Sequence, residues 1–364
     1  MMKKVALFTA PQGHASIAQA IESVLGGEFD VHTTLIRDHL FSLYTPLYQY
    51  IPSANKVPYV LGGIKPISKY LKVFGSKKYN PAVNKVMKQH NPDVTISTHY
   101  MYLPALEKTK KEKGIAVLNV VTDPWTIHPL LISETADLNV VFDDASIQIV
   151  KKAVPKARVK AIGWLVRPEF KPVASPLAIQ KKLGLEPGVF TVVFSSGSEG
   201  TIGILNFIPS LLQLDIPCQF VVLCGNNKQL IRAMRGISRA IKRVNKKVTV
   251  LAVPFVTNVH EYYAAADLVA GKAGPNSIFE VVACHKPFLA TTHLRGQEDG
   301  NLNIIQHYGL GFVEENVFKA AQLLTKLIRE PQLLDALQPS IKKMAKYNSF
   351  SRTKLLEEVR TLSK

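Results

Sequence analysis

Residues 267–280 read DLVAGKAGPNSIFE. A short apolar run precedes a glycine-rich turn and the start of an apolar helix, a pattern that predicts a strand, a tight turn and a helix. Asn276 or Ser277 can cap this helix, so that its first N–H groups suit a diphosphate. Glu280 lies one turn further on, where a carboxylate could accept hydrogen bonds from ribose hydroxyls.

The same alternation of apolar run, Gly or Ser turn and helical periodicity recurs along the chain. It predicts buried parallel strands in two groups of five, at residues 5–9, 31–35, 94–97, 116–122 and 138–142, then 190–195, 219–224, 248–252, 267–270 and 287–290. The proline-rich stretch 167–176 suits a linker. We therefore predict an α/β protein with two Rossmann-like domains, residues 1–166 and 177–346, and a C-terminal helix in 347–364. The carboxyl ends of both parallel sheets are expected to face a cleft.

The composition limits the possible location of the protein. The chain has 364 residues, of which 47% are hydrophobic, and no apolar run approaches the length of about 20 residues that crosses a bilayer. Its three cysteines, Cys218, Cys224 and Cys284, form neither a disulfide framework nor a thiol metal cluster and are expected to be small core residues. The sequence predicts a cytoplasmic protein.

The charge indicates an anionic partner, since the formal net charge is +18. Residues 39–92 contain no Asp or Glu but eight lysines and eight aromatic residues. A second acid-free run covers residues 216–260, in which Arg and Lys recur every three or four residues on one helical face. For this second stripe, solvated surface is the simpler interpretation.

Three further loops between a strand and a helix are candidate sites. His14 follows the first strand, where a neutral imidazole could accept a proton or simply cap the helix. The loop 195–201 is small and polar, which suits either an anion or an unliganded tight turn. The loop 295–301 packs polar groups between two glycines. No motif for metal binding, for a phosphate-binding Walker loop or for a serine nucleophile elbow occurs.

Taken together, these loops resemble the GT-B glycosyltransferases that make glycolipids, namely the monogalactosyldiacylglycerol synthases and processive diacylglycerol glucosyltransferases. The peptidoglycan N-acetylglucosaminyltransferase is a more distant relative. The resemblance covers nearly the whole chain and lies in Gly13-His14, Ser97-Thr98-His99, Val121-Thr122-Asp123 with His128-Pro129, the stretch 163–170, Leu223-Cys224-Gly225-Asn226-Asn227, the stretch 264–269 with Lys272-Ala273-Gly274-Pro275, and Gly296-Gln297-Glu298-Asp299-Gly300-Asn301.

The resemblance implies site residues in both domains. His14 is the candidate catalytic base, with Asp123 as a second catalytic candidate. The residues implied for the nucleotide sugar are Gly197, Ser198, Glu199, Phe255, Val256, Gly274, Pro275, Asn276, Ser277, Glu280, Gln297, Glu298 and Asn301. Among them, the resemblance implies that Phe255 and Val256 lie beside the base and that Gln297 and Glu298 lie near the sugar. No metal and no resident cofactor are implied.

The resemblance implies an inverting transferase that moves a hexose from a UDP-sugar to a lipid acceptor such as diacylglycerol. Such an enzyme would be held on the inner face of the cell membrane by its basic, aromatic segment, which would contact an anionic membrane surface, and it would have no nucleic-acid partner. The alternatives are transfer of N-acetylglucosamine to a lipid-linked cell-wall precursor, and a non-catalytic protein that binds nucleotide sugars or anionic lipids. The sequence departs from its relatives in three places, which could alter the choice of donor. The first loop, residues 10–13, reads Ala-Pro-Gln-Gly where they are richer in glycine, the second-domain loop begins Ser195-Ser196 instead of Gly-Gly, and Asn276 stands where a small Gly is common.

Overall fold

The computed structural model describes residues 2–35, 56–62, 64–195 and 202–364. The chain forms two compact units. Of the described residues, the first unit contains those through Pro168 together with Tyr347–Lys364, and the second contains those within Glu169–Lys346.

The first unit is built on a parallel sheet of six strands. They are β1 (Lys3–Thr9), β2 (Phe29–Leu35), β3 (Val94–Ser97), β4 (Ala116–Val120), β5 (Leu138–Val141) and β6 (Val159–Ala161), in the spatial order β2-β1-β3-β4-β5-β6. Its helices are α1 (Gly13–Leu25), α2 (Lys56–Gly62), α3 (Lys65–His90), α4 (Leu103–Lys113) and α5 (Asp144–Ala153). Strand β3 is buried along its whole length, as expected for a central strand covered by helices on both faces.

The second unit contains another parallel sheet of six strands. They are β7 (Phe190–Ser195), β8 (Cys218–Leu223), β9 (Val248–Val253), β10 (Leu268–Lys272), β11 (Phe288–Thr292) and β12 (Gly311–Val313), in the order β12-β11-β10-β7-β8-β9. The helices are α6 (Pro176–Lys182), α7 (Ile208–Leu212), α8 (Lys228–Val244), α9 (Val259–Ala265), α10 (Pro275–Ala283), α11 (Asp299–His307), α12 (Val317–Arg329), α13 (Gln332–Asp335) and α14 (Gln338–Ser349). This strand order is that of a dinucleotide-binding fold.

The last helix, α15 (Ser351–Leu362), packs on the first unit although the chain reaches it from the second. Arg360 forms an ion pair with Glu28, and Arg352 donates a hydrogen bond to the Ser23 hydroxyl. The backbone N–H of Trp164 donates to Asn348 Oδ1 at 2.9 Å. The first unit is therefore completed by a helix that follows the second unit in the sequence.

The structure confirms the predicted fold class, with ten strands close to their predicted positions. The two short strands that the sequence analysis missed, β6 and β12, have three residues each and lie at edges of the two sheets. A three-residue strand carries too little apolar periodicity to be recognised. The three cysteines are buried and free, as expected, and burial raises the pKa of the Cys224 thiol to about 11.

No helix among residues 2–35, 56–62, 64–195 and 202–364 combines the length and the apolar character that a bilayer span requires.

The end of strand β10 packs closely against β7 at Gly271, and its pairing with β11 is irregular next to this residue. The register with β11 shifts between Gly271 and Lys272, so that Lys272 pairs with Thr292. Gly271 has φ +150°, and a Cβ at this position would lie 2.1 Å from the carbonyl oxygen of Ser195 on β7. Only glycine allows β10 and β7 to approach this closely.

We expect Gly271→Ala to lower the free energy of unfolding by about 3 kcal/mol, because the added methyl group meets rigid backbone. Chemical denaturation monitored by circular dichroism measures this loss. Gly236→Ala is the matched control, since no atom lies within 4 Å of that Cβ, and it should stabilise α8 by up to about 1 kcal/mol. Equal stability of the Gly271 variant and the unmodified protein would contradict the packing argument.

Candidate active site

The candidate residues lie at the topological switch point of each sheet. In the first unit, β1 lies between β2 and β3, so the loops after β1 and β3 leave the sheet in opposite directions. In the second unit, the corresponding point lies between β7 and β10. Open parallel sheets bind ligands in the crevice at this position. The loop after β1 carries His14, and the loop after β10 carries residues 273–277.

His14 is held by a bond to the neighbouring strand. Its Nδ1 lies 2.7 Å from the carbonyl oxygen of Thr98, which follows β3, and 3.3 Å from the Thr122 hydroxyl. A carbonyl oxygen can only accept, so Nδ1 carries the proton and the lone pair is on Nε2. The helix cap is Gln12 and not His14. The imidazole is therefore oriented as a proton acceptor.

Burial keeps this imidazole neutral. Desolvation lowers the pKa of His14 to about 4, against a smaller opposite effect of the bond to Thr98. His99 packs edge-on against His14 with ring centroids 4.7 Å apart, and burial together with this neighbour holds the pKa of His99 well below its usual range. Both histidines are thus uncharged at neutral pH. Asp123 lies in the same unit, buried just after Thr122.

The turn before α1 carries backbone strain. Gln12 has φ +62° and ψ −128°, a conformation that glycine adopts freely and a residue with a Cβ does not.

In the second unit, a buried ion pair joins two of the candidate loops. Lys272 Nζ donates to Glu298 Oε1, and both side chains are less than a tenth exposed. Glu298 Oε2 accepts a hydrogen bond of 2.7 Å from the Leu294 backbone N–H. A Cβ on Gly274 would lie 2.9 Å from Lys272 Nζ, so this glycine gives the ammonium group room beside the turn. The Glu298 carboxylate is therefore already engaged on both oxygens.

Asn301 strengthens the connection between these loops. Its Nδ2 donates to the Ala273 carbonyl oxygen at 2.8 Å, which ties α11 to the turn after β10. Gly274 is the N-cap residue of α10, Pro275 begins that helix, and Asn276 and Ser277 follow in its first turn. Gly274 provides no side-chain cap for the helix. The first N–H groups of α10 consequently lie beside the Lys272–Glu298 pair.

A second buried cluster lies on the inner side of α10. The Tyr263 hydroxyl is 2.7 Å from Ser195 Oγ. Burial raises the pKa of Tyr263, and the Glu280 charge acts in the same direction, while hydrogen bonds from Ser195 and Ser277 oppose it. Glu280 is 7% exposed. The structure thus brings Ser277 and Glu280 together near Tyr263.

The loop before α11 is held by His293. Its Nδ1 lies 2.7 Å from Glu315 Oε1 and its Nε2 lies 2.9 Å from Asp299 Oδ1. The same Asp299 oxygen accepts a bond of 2.7 Å from the N–H of Gly296, which has φ +88°. These contacts fix the turn that carries the partly buried Gln297.

The remaining candidates follow β9 or lie outside the described residues. Phe255 and Val256 follow β9, and the Phe255 side chain is 55% exposed. Gly197, Ser198 and Glu199 lie outside the described residues. Within the described ranges, no group of three or more His, Cys, Asp or Glu side chains is arranged to hold a metal ion.

Two family models match the chain in succession. Residues 14–166 match the monogalactosyldiacylglycerol synthase model, and residues 191–355 match the glycosyltransferase family 28 C-terminal domain. Together the two models cover most of the chain, which is a glycosyltransferase similar to monogalactosyldiacylglycerol synthases in its first part and to family 28 enzymes in its second. The resemblance found in its motifs is thereby confirmed.

Relatives of this glycosyltransferase occur in bacteria and plants. The chain is 24% identical to a processive diacylglycerol beta-glucosyltransferase of Bacillus pumilus over 79% of its own length and 75% of that protein. It is 26% identical to a probable chloroplastic monogalactosyldiacylglycerol synthase of Nicotiana tabacum over 86% of its length. The match spans only 62% of the tobacco protein.

Solved structures confirm the GT-B fold. MurG of Acinetobacter baumannii superposes with a TM-score of 0.66 at 15% identity, covering 99% of this chain and 100% of that one. HepE of Anabaena in complex with UDP-glucose gives a TM-score of 0.61 at 16% identity, with 99% of both chains covered.

Sequence reasoning missed several residues that hold the sites of this glycosyltransferase. Lys272 is part of the quoted turn, but its partner Glu298 is 26 positions away and cannot be paired with it from sequence alone. Tyr263 and His293 lie outside the motifs that were singled out. The signal that could have found Lys272 is a charged residue at the end of an otherwise apolar strand, since a buried lysine requires an anionic partner.

We expect Lys272→Met to lower the free energy of unfolding by about 3–5 kcal/mol, because it leaves the buried Glu298 carboxylate unpaired. Adding Glu298→Gln should recover most of this loss, since no charge then remains. Urea denaturation of the single and double variants measures the difference.

The exposed pair between Lys182 and Glu261 serves as the control. Lys182→Met should cost less than about 1 kcal/mol. If the Lys272 and Lys182 variants lost the same small stability, the Lys272–Glu298 pair would not be the anchor described here.

Proposed function

We propose that the protein is a membrane-associated, inverting glycosyltransferase that moves a hexose from a UDP-sugar to the hydroxyl of a lipid such as diacylglycerol. The two family-model matches and the names of its relatives support the reaction class. The observation that carries the proposal is the His14 imidazole, neutral and with its lone pair on Nε2, at the switch point of the first sheet.

The donor would bind in the second unit. The first turn of α10, from Gly274 to Ser277, would receive the diphosphate on its N–H groups, together with the loop that contains Gly197, Ser198 and Glu199. Glu280 would accept hydrogen bonds from the ribose, and the exposed Phe255 with Val256 would lie along the base. Gln297 would contact the sugar, while Glu298 and Asn301 hold that loop against the turn after β10.

The transfer step would follow from the His14 tautomer. The acceptor hydroxyl oxygen forms a bond to the anomeric carbon, while the bond from that carbon to the UDP oxygen breaks and UDP leaves with the electron pair. The hydroxyl proton passes to His14 Nε2, with Asp123 as the alternative acceptor in this unit. Attack opposite the leaving group inverts the anomeric centre. The N–H groups of α10 would stabilise the negative charge on the leaving diphosphate without a metal ion.

Membrane contact would come from α2, α3 and the turn between them. Six large apolar side chains between residues 60 and 74 are more than a third exposed: Val60, Leu61, Ile64, Tyr70, Val73 and Phe74. Lys78 lies over the ring of Phe74 at 5.5 Å. Aromatic rings beside lysines suit the interface between headgroups and acyl chains. Residues 36–55 and 63 of the basic, aromatic segment lie outside the described ranges.

We expect Glu280→Ala to weaken UDP binding by about ten- to a hundredfold, since hydrogen bonds to a charged acceptor are worth about 1.5–3 kcal/mol. Isothermal titration with UDP, with and without EDTA, measures this, and chelation should leave the affinity unchanged. Glu261→Gln on α9 is the control carboxylate. Unchanged UDP affinity in a folded Glu280 variant would place the ribose elsewhere. If EDTA abolished UDP binding and Mg²⁺ restored it, the proposal of a metal-independent site would be contradicted.

We expect His14→Ala to lower kcat by about 10² to 10⁴ and to leave UDP affinity intact, because the proposed base and the proposed donor site belong to different units. Release of UDP from UDP-glucose, UDP-galactose or UDP-N-acetylglucosamine in the presence of membrane lipid measures kcat. His32→Gln, on the edge strand of the same sheet, is the control.

The pH profile gives a second readout for His14. Since its pKa is lowered to about 4, the unmodified enzyme should keep its base unprotonated from pH 8 down to pH 5 and lose activity only below that range. The same lowered pKa means that the unfolded chain binds more protons between pH 6.5 and 4, so stability falls as the pH drops through this window. A kcat within threefold of the unmodified enzyme would exclude His14 as the base.

We expect Tyr70→Ser combined with Phe74→Ser to weaken binding to lipid vesicles by about tenfold or more, because both rings would lose their apolar contact with the interface. Vesicle flotation at low and high salt measures partitioning, and the aromatic contribution should persist at high salt. Phe318→Ser, which removes an aromatic side chain that is 81% exposed on the second unit, is the control. Equal partitioning of both variants would remove α3 from the membrane contact.

A further inference from the structure

Helix α8 carries a continuous row of cations that the proposed donor site does not use. We call Lys228, Arg232, Arg235, Arg239, Lys242 and Arg243 the basic stripe. At about 100° per residue these six positions fall within an arc of roughly 100°, opposite the buried Leu230, Met234 and Ile241. All six stripe side chains are exposed.

The basic stripe is not neutralised within the part of the chain that the structure describes. None of its six side chains there forms an ion pair with a carboxylate, and residues 216–260 contain no Asp or Glu. Cations three and four positions apart on a helix repel one another. Without compensating acidic side chains, this repulsion destabilises α8. Features that destabilise the fold locally are expected at functional sites.

We propose that the basic stripe is a docking surface of the second unit for anionic lipid headgroups. Its flank favours a flat, phosphate-rich surface: Ala233, Gly236 and Ala240 are exposed beside it and are too small to hold headgroups away. Val244, at the end of α8, is 76% exposed and can enter the interface. The stripe has no aromatic side chain on which nucleic-acid bases could stack. The choice of a membrane as partner rests on the proposed lipid acceptor.

This contact differs in kind from the proposed contact of α3. The exposed side chains of α3 include tyrosine, valine and phenylalanine beside lysines, whereas those of the stripe are all cationic. The contribution of the stripe must therefore decrease as salt screens its charges. The stripe lies on the unit that would bind the donor. It therefore gives that unit its own attachment to the surface where a lipid acceptor is found.

The test compares two triple variants of the full-length protein. Arg235→Gln/Arg239→Gln/Lys242→Gln removes three charges from the stripe. Lys319→Gln/Lys326→Gln/Lys343→Gln removes three exposed charges dispersed over other helices of the same unit. Flotation uses vesicles of neutral phosphatidylcholine and vesicles that also contain phosphatidylglycerol, at low and high salt. Thermal unfolding shows that both variants are folded.

We expect the stripe variant to bind the anionic vesicles between tenfold and about a hundredfold more weakly at low salt, and the dispersed variant to lose much less. On neutral vesicles or at high salt the two variants should not differ. Equal losses in both variants would indicate a general effect of net charge and would overturn the proposal. The proposal would also be overturned if the stripe variant bound vesicles as well as the unmodified protein but no longer bound a fluorescent DNA duplex. That result would assign the stripe to nucleic acid.

Transfer of glucose to diacylglycerol in detergent micelles separates this proposal from the proposed function. The stripe variant should keep the activity of the unmodified enzyme there, because no anionic bilayer is present. If the unmodified protein transfers no sugar under any condition, the proposed function fails, and vesicle flotation still decides the docking surface.

Discussion

The second unit depends on the burial of one ion pair, Lys272 with Glu298. A lysine at the end of a central strand is costly to remove from water unless an anion meets it there, and Glu298 is that anion. The pair joins the turn after β10 to the loop before α11, and these segments carry the donor-site candidates Gly274, Gln297 and Glu298. Asn301 and the small Gly274 complete this junction. The positions of Gln297 and of the first turn of α10 are therefore coupled.

The first unit also buries a polar side chain beside the end of a strand, but this group is neutral. His14 is desolvated and keeps no charge, and its orientation comes from the Thr98 carbonyl oxygen at the end of the adjacent strand. This bond spans the switch point, so the base depends on the pairing of β1 with β3 and not on the flexibility of its own loop. The strained Gln12 immediately before it indicates that this loop is held in place by its surroundings.

Periodicity in the sequence was sufficient to predict ten of the twelve described strands, because central parallel strands are continuously apolar and their turns contain Gly or Ser. The short edge strands β6 and β12 lacked this signal. The loops were predicted because they follow strands, and strand ends converge at one edge of a sheet. The partners within the site were not predictable: the Lys272–Glu298 and His293–Glu315 contacts join residues more than 20 positions apart, and their pairing depends on strand order and on the irregular pairing of β10 with β11 beside Gly271.

The return of α15 to the first unit has a consequence for how the chain is made. Lys3 in β1 donates a hydrogen bond to the carbonyl oxygen of Ser363, and Glu28 pairs with Arg360, so contacts of the N-terminal sheet span more than 300 positions. During synthesis, the first unit leaves the ribosome without α15. It lacks this helix until the whole second unit has been translated. The contact of α15 with the first unit can form only after the second unit has been synthesised, and until then the face of α1 that receives α15 is exposed.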